Sequence, residues 1–214
     1  MNRAQLLIAL MGVMLVQSQV VAQTADVPKY EVAAEFTSME RNNFSGGAEA
    51  GLGARFTFNL NKTFSLEAAA YHFPRTCFSC EHNGTVTEVV GGLKAGKRFE
   101  KWGIFAKARP GVVSFSRGEF NAVPAATPAP FPFDFEFNRV NSFAVDAGAV
   151  VEFYPSKRIV TRFDAGDTII HFSRRRFNTI LSDGSGTTFS LFPITVPAKT
   201  THNFQFMASV GFRF

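Results

Sequence analysis

The sequence has 214 residues, 18% of them charged, a formal net charge of +5, and 26 Phe against three Tyr and one Trp. That length suffices for one domain with a full interior. A mean hydropathy near zero is too polar for a helical membrane protein, and the charged fraction is low for a soluble one. The basic balance does not point to nucleic acid, because positive residues alternate with acids along the chain instead of clustering.

Residues 1–22 read as a secretory signal: Met1-Asn2-Arg3 is a short positive start, Leu6 to Val16 an apolar core, and Val20-Val21-Ala22 a small-residue cleavage site. The alternative, a retained anchor, needs a longer apolar run. Cleavage after Ala22 removes one Arg and leaves a formal charge of +4. No Cys lies near the cut for lipid attachment. No other stretch approaches about 18 consecutive apolar residues, so a mature chain that enters a membrane must do so as strands. Residues 23–28 form a short polar lead.

Period-two alternation then recurs along the chain. Tyr30, Val32, Ala34 and Phe36 alternate with Glu31, Ala33, Glu35 and Thr37. Arg41 to Glu49 is a polar, Gly-rich loop. Leu52, Ala54, Phe56 and Phe58 alternate with Gly53, Arg55, Thr57 and Asn59, and a tight turn leads to Phe64, Leu66, Ala68 and Ala70 alternating with Ser65, Glu67, Ala69 and Tyr71. His72 to Val86 is a loop holding both cysteines. Val89, Gly91, Leu93 and Ala95 alternate with Val90, Gly92, Lys94 and Gly96. After a second tight turn, Ile104, Ala106, Ala108 and Val112 alternate with Phe105, Lys107, Arg109 and Gly111, with Pro110 on the apolar set weakening the pattern. Ser116 to Asn141 is long and rich in Pro and Phe. Within it, Phe131, Phe133, Phe135 and Phe137 keep the parity of Phe143, so the next strand, Phe143 to Phe153, is expected to extend upward. A third tight turn around Pro155 precedes Phe163, Ala165 and Ile169 alternating with Arg162, Asp164, Gly166 and Thr168; Asp167 breaks that apolar face without an evident reason. Ser173 to Thr200 is a long loop in which Ser182-Asp183-Gly184-Ser185-Gly186 signals a hairpin.

The last stretch, Thr201 to Phe214, alternates without a break: His202, Phe204, Phe206, Ala208, Val210, Phe212 and Phe214 against Asn203, Gln205, Met207, Ser209, Gly211 and Arg213. A strand with Phe on one face and Gln, Ser and Arg on the other suits a membrane barrel. The ending Gly-Phe-Arg-Phe resembles the C-terminal β-signal of bacterial outer-membrane barrels. That resemblance implies Phe212 and Phe214 as the insertion signal, read by the barrel-assembly machinery. By architecture the mature chain resembles the OmpA/OmpX-type eight-stranded barrels. It lacks their peptidoglycan-binding domain, so cell-wall anchoring is not supported.

Eight strands alternate short turns with long loops, the pattern of an antiparallel up-and-down barrel in the bacterial outer membrane with short periplasmic turns and long extracellular loops. The barrel domain is expected over residues 29–214, as a monomer. Closure removes the unpaired edges that an open sheet would leave in lipid. An eight-stranded interior has room for its own side chains or one small ligand. Its inward positions carry Glu31, Glu35, Glu67, Asp146, Glu152 and Asp164 against Arg55, Lys94, Lys107, Arg109, Arg162 and Arg213, six of each sign. Buried ions must pair, and a selective pore should favour one sign. A salt-bridged plug with no large pore is therefore expected; a narrow conduit for small solutes is the alternative. A structural or surface-interaction role goes with the plug, with apolar loops such as Val123 to Phe137 as contact area.

Cys77-Phe78-Ser79-Cys80 reads as a local disulfide in an oxidising compartment; a zinc site with His72 and His82 is the alternative, and no metal or cofactor is expected. Arg174, Arg175 and Arg176 fall at outer-leaflet headgroup level, where basic side chains meet lipopolysaccharide phosphates. His171-Phe172-Ser173 resembles part of a lipid A deacylase, an eight-stranded esterase with a His-x-Ser pair facing lipid. That resemblance implies His171 as base and Ser173 as nucleophile. The family's Asn after the Ser is Arg174 here, and the sequence places no acidic partner. No enzymatic activity is expected, with the esterase kept as the remote alternative. The plain reading of His171 is an interfacial residue at the outer rim, beside His202.

Overall fold

The computed structural model describes residues 27–41, 47–74, 84–125, 133–182 and 189–214. The signal segment and Cys77 and Cys80 lie outside these residues. Ten strands follow in order: β1 (Tyr30–Arg41), β2 (Gly47–Asn59), β3 (Phe64–Phe73), β4 (Val86–Arg98), β5 (Trp102–Pro124), β6 (Phe133–Phe153), β7 (Ile159–Phe172), β8 (Arg175–Ser182), β9 (Phe189–Val196) and β10 (Lys199–Arg213). Eight close into an antiparallel barrel in the order β1-β10-β7-β6-β5-β4-β3-β2, and β8 and β9 pair only with each other. Closure runs through β1 and β10, from Glu31 opposite Arg213 to Met39 opposite Gln205. It is finished by two 2.9 Å bonds, Tyr30 N–H to the Phe214 carbonyl and Phe214 N–H to the Tyr30 carbonyl.

The alternation in sequence becomes an inside and an outside. Along β3, residues alternate exposed and buried without a break from Leu66 to Phe73, because successive side chains leave opposite faces of the sheet. Outward residues are apolar and exposed: Leu52 at 70%, Val210 at 59%, Phe143 at 56%. A closed wall with an apolar exterior belongs in hydrocarbon.

Two of the three short connections are built by side chains that imitate a turn, and the third is closed by the Phe99 N–H on the Trp102 carbonyl at 2.7 Å. Asn61 Oδ1 accepts the N–H groups of Thr63 and Phe64, both at 2.8 Å. Ser156 Oγ accepts those of Arg158 and Ile159 at 3.2 and 3.1 Å. At this turn end an aromatic ring forms around Tyr30, whose centroid lies 5.4 Å from Phe58 and 5.7 Å from Phe214; Phe99 stacks on Trp102 at 4.3 Å.

At the loop end the strands run further than periodicity marks. β5 continues to Pro124 and β6 begins at Phe133, so most of the Pro- and Phe-rich segment is a two-stranded blade above the barrel. The alternation is lost to the eye because β5 carries a bulge, residues 116–118 standing opposite residue 139 alone. Pro110 is accommodated within β5: β4–β5 pairing lapses opposite Arg109 and Pro110, then resumes in the same register, Val90 with Gly111 and Leu93 with Ala108. The expected hairpin is present as β8–β9, its tip outside the described residues. It leans toward β5, where the Arg175 guanidinium donates to the Gly118 carbonyl and the Asn178 N–H to Asn121 Oδ1, each at 2.9 Å.

Candidate functional site: the barrel lumen and outer rim

Strand parity sends long polar side chains from all eight strands into one narrow space. Glu31, Glu35, Arg55, Glu67, Lys94, Lys107, Arg109, Asp146, Glu152, Arg162, Asp164 and Arg213 are all buried, at most 6% exposed. Glu67 is the hub: within 4 Å it has Lys94 at 3.3 Å, Arg55 at 3.6 Å, Arg109 at 3.7 Å and the close guanidinium of Arg162. Arg162 uses its other edge on Asp164, at 2.5 and 2.6 Å, the fork-to-carboxylate geometry that suits Arg over Lys. Lys107 bridges Asp146 at 2.9 Å and Asp164 at 3.1 Å, and Arg109 binds Asp146. Lys94 pairs with Glu152. Glu35 accepts from Arg55 Nε at 2.8 Å and from the Tyr71 hydroxyl at 2.5 Å.

Toward the turn end the network thins. Glu31 meets Arg213 Nε at 3.4 Å and Arg98 at 3.8 Å. The Tyr154 hydroxyl donates to Glu152 Oε2 at 2.8 Å and accepts from Arg98 Nε at 3.0 Å, while the Arg213 guanidinium covers its ring at 4.4 Å. Burial first, then the Glu152 charge, push the Tyr154 phenol well above its ordinary range.

Two members are not among the inward charges read from the sequence. Glu88 is fully buried and accepts from Gln205 Nε2 at 3.0 Å, with no ion pair within 4 Å among the described residues. It shares parity with Val90 and Lys94, and starting β4 three residues earlier would have exposed it. Arg98, whose side chain is 6% exposed, lies beyond the clean alternation. With these two, seven acids and seven bases fill the lumen.

Above the ions the inward face turns apolar. Met39, Tyr71, Phe73, Val86, Val90, Val113, Ala144, Ile170 and Met207 form one buried cluster, with Phe115 and Phe172 packed against it. The Phe115 and Phe172 rings touch at 5.5 Å, so the end of β7 and the bulged part of β5 meet over the mouth. Two glycines make room for the rings: a Cβ at Gly51 would lie 2.7 Å from Phe73 Cδ1, and one at Gly53 would be 2.5 Å from the Ala70 carbonyl and collide with the Tyr71 ring.

Outside, the rim of β7 and β10 carries the other candidates. His171 spends Nδ1 on Thr200 Oγ1 at 3.0 Å. Ser173 and Arg174 are exposed, as is Arg176, whereas Arg175 is drawn to Gly118. Asp167 has a local explanation: Oδ2 takes His202 Nδ1 at 2.5 Å and Oδ1 accepts the Asn203 N–H at 2.8 Å. The acid therefore orients His202, not His171, and ties β7 to β10 on the outward face. His72 lies exposed, 3.4 Å from Thr87 Oγ1. Phe212 and Phe214 point outward at the turn end, 42% and 59% exposed.

No protein-family model matches the sequence, and no curated protein matches it. Among solved structures, Neisserial surface protein A (NspA) is similar with a TM-score of 0.54 at 8% identity, over 87% of this chain and 97% of that one. Ail, the attachment invasion locus protein of Yersinia pestis, matches with 14% identity over 86% and 96% of the two chains, TM-score 0.43. The N-terminal barrel domain of Pseudomonas aeruginosa OprF matches with 9% identity over 88% and 100%, TM-score 0.44. At these identities the likeness is one of fold alone, and NspA carries it: this chain is a closed eight-stranded antiparallel barrel of the outer-membrane type.

Proposed function

We propose that the protein is a monomeric bacterial outer-membrane barrel, exported through a cleaved signal, whose lumen is a plug and whose role is structural and surface-interacting. One observation supports this most: the space a pore would need is occupied by Arg109, Arg162, Lys94, Glu31, Glu152, Tyr71 and Phe73, each less than 2% exposed. A set of seven acids and seven bases, all but Glu88 in ion pairs, offers no selectivity bias, and the apolar layer at the mouth offers a permeating ion no polar partner. In this reading the turn end faces the periplasm, and the blade and hairpin face outward. The barrel-assembly machinery inserts the chain through the Phe212 and Phe214 signal. Arg174 and Arg176 contact lipopolysaccharide phosphates at the outer rim, with Arg175 shared between that role and its bond to Gly118. In this reading the barrel is no enzyme, and His171 is an interfacial residue hydrogen-bonded to Thr200. Planar-bilayer recording of the refolded protein tests the plug, with no steady conductance above the lipid background expected. Steady conductance, or swelling of liposomes in small sugars, would establish the conduit instead. Release of acyl chains from lipid A, lost in Ser173→Ala, would establish the esterase.

A further inference from the structure

The outward face of β5 and β6 is layered. The apolar belt ends at Phe143 and Val112, 56% and 45% exposed. Next come Asn141 and Arg139, the latter donating to Ser114 Oγ at 3.1 Å. Above them the face turns aromatic again: Phe135 and Phe137 are 46% and 36% exposed. Both rings lie against Phe120, at 4.9 and 6.0 Å, and the Arg117 guanidinium sits 5.1 Å over Phe137. The register keeps these rings on the lipid side, since Phe120 stands opposite Phe137 and Val112 opposite Phe143. Phe137 is six residues beyond Phe143, ~20 Å along the strand and about 15 Å in height at the usual tilt.

Resting on the outer-membrane reading above, we propose that this aromatic face is a glycan-stacking site for the core sugars of the lipopolysaccharide around the barrel. The vertical order of the face matches the vertical order of a phosphorylated glycolipid: acyl chains against the belt, phosphorylated head against Arg139, sugars against the rings. A pyranose presents a flat face of polarised C–H groups, which the electron-rich face of a Phe ring attracts. Arg117 adds a donor for hydroxyl or phosphate oxygens beside the ring. The surface continues the lipid-facing wall upward, so its neighbour is whatever stands on the lipid. The opposite face of the blade is where Asn121 receives β8.

The test uses the full refolded barrel in nanodiscs, titrated with lipid A and with lipopolysaccharide bearing its complete core. It is joined by saturation-transfer NMR on the free core oligosaccharide. Complete-core lipopolysaccharide should bind about tenfold more tightly than lipid A, the contribution of two ring contacts. Phe135→Ala with Phe137→Ala should remove that gain and the saturation transfer while keeping lipid A affinity; Arg117→Gln serves if the double variant does not fold. Equal affinity for the two glycolipids, or a gain that survives both variants, overturns the proposal. A dimer of barrels that the double variant dissolves overturns it too, by assigning the face to a second copy. Failure of lipid A alone, with saturation transfer retained, would instead count against the Arg174–Arg176 contact.

Discussion

Two buried glutamates show how differently one residue type behaves in the same lumen. Glu67 has four cations within 4 Å; Glu88 has a Gln205 amide. Removing the charge of Glu67 leaves several buried cations under-compensated, a loss of about 3–5 kcal/mol for a broken buried pair. Glu67→Gln should therefore lower the unfolding free energy of the refolded barrel, measured in urea, by that amount. Glu88→Gln retains a carbonyl for Gln205 and removes a lone buried charge, so its unfolding free energy should stay within about 1 kcal/mol of wild type or rise. A large loss in Glu88→Gln would mean that the carboxylate has a partner inside the barrel. Gly53 makes the same point through space: Gly53→Ala forces the Tyr71 ring away and with it the hydroxyl bond to Glu35. Overpacking and a lost buried bond together should cost about 2–4 kcal/mol in the same assay, and the same substitution on a Tyr71→Ala background, where ring and hydroxyl are already gone, should cost less.

Among the elements, the strands inside the belt were legible throughout, and of those above it the upward run of β6 and the β8–β9 hairpin were, while the extension of β5 was not. Parity survives from sequence to structure wherever one face meets lipid and the other meets ions, because a slip of one residue would exchange the two. It named the twelve inward charges on its own. It stopped short of Glu88 because the pattern reverses just before it, with polar Thr87 on the outward set and apolar Val86 on the inward one. Beyond the belt neither face has a fixed solvent, so only the β6 arm of the blade keeps its parity, through Phe133, Phe135 and Phe137, and the β5 arm is hidden by its bulge. Asp167 was unreadable for a different reason: its partner His202 is adjacent only once β7 and β10 are paired. The β8–β9 hairpin pairs with itself and rests on β5 through two hydrogen bonds. Its stem is already closed, since Phe172 stands opposite Lys199. Replacing residues 174–197 by Asn-Gly, a two-residue turn for adjacent antiparallel ends, should leave the heat-modifiable gel shift intact and change the unfolding free energy in urea by less than about 2 kcal/mol. Loss of the folded band would show that the hairpin helps hold the barrel.

Taken as a whole, the molecule is a cylinder with two kinds of filling, ions toward the termini and hydrocarbon toward the loops, inside a wall whose outer face is apolar. The order makes physical sense. The charged side chains of the lumen are buried, so each needs a partner within the protein; seven acids face seven bases, and among the described residues Glu88 alone of them has no ion pair, only the Gln205 amide. Above them lies the apolar layer, with Phe115 against Phe172; in the plug reading proposed above, this layer keeps water from the outer face from reaching those pairs. Such a design has a consequence in salt. Mobile ions screen only charges they can approach, over a distance that falls from about 10 Å at 0.1 M to about 3 Å at 1 M. A plugged lumen would admit none, so the unfolding free energy of the wild-type barrel in zwitterionic nanodiscs should change by less than about 0.5 kcal/mol between those two concentrations, the size left to exposed pairs. Opening the seal by Phe115→Ala with Phe172→Ala should restore a salt dependence, stability falling as salt rises and the pairs are screened. A strong dependence in the wild type would mean that electrolyte already permeates the ion network, and the lumen would then have to be read as a narrow aqueous path.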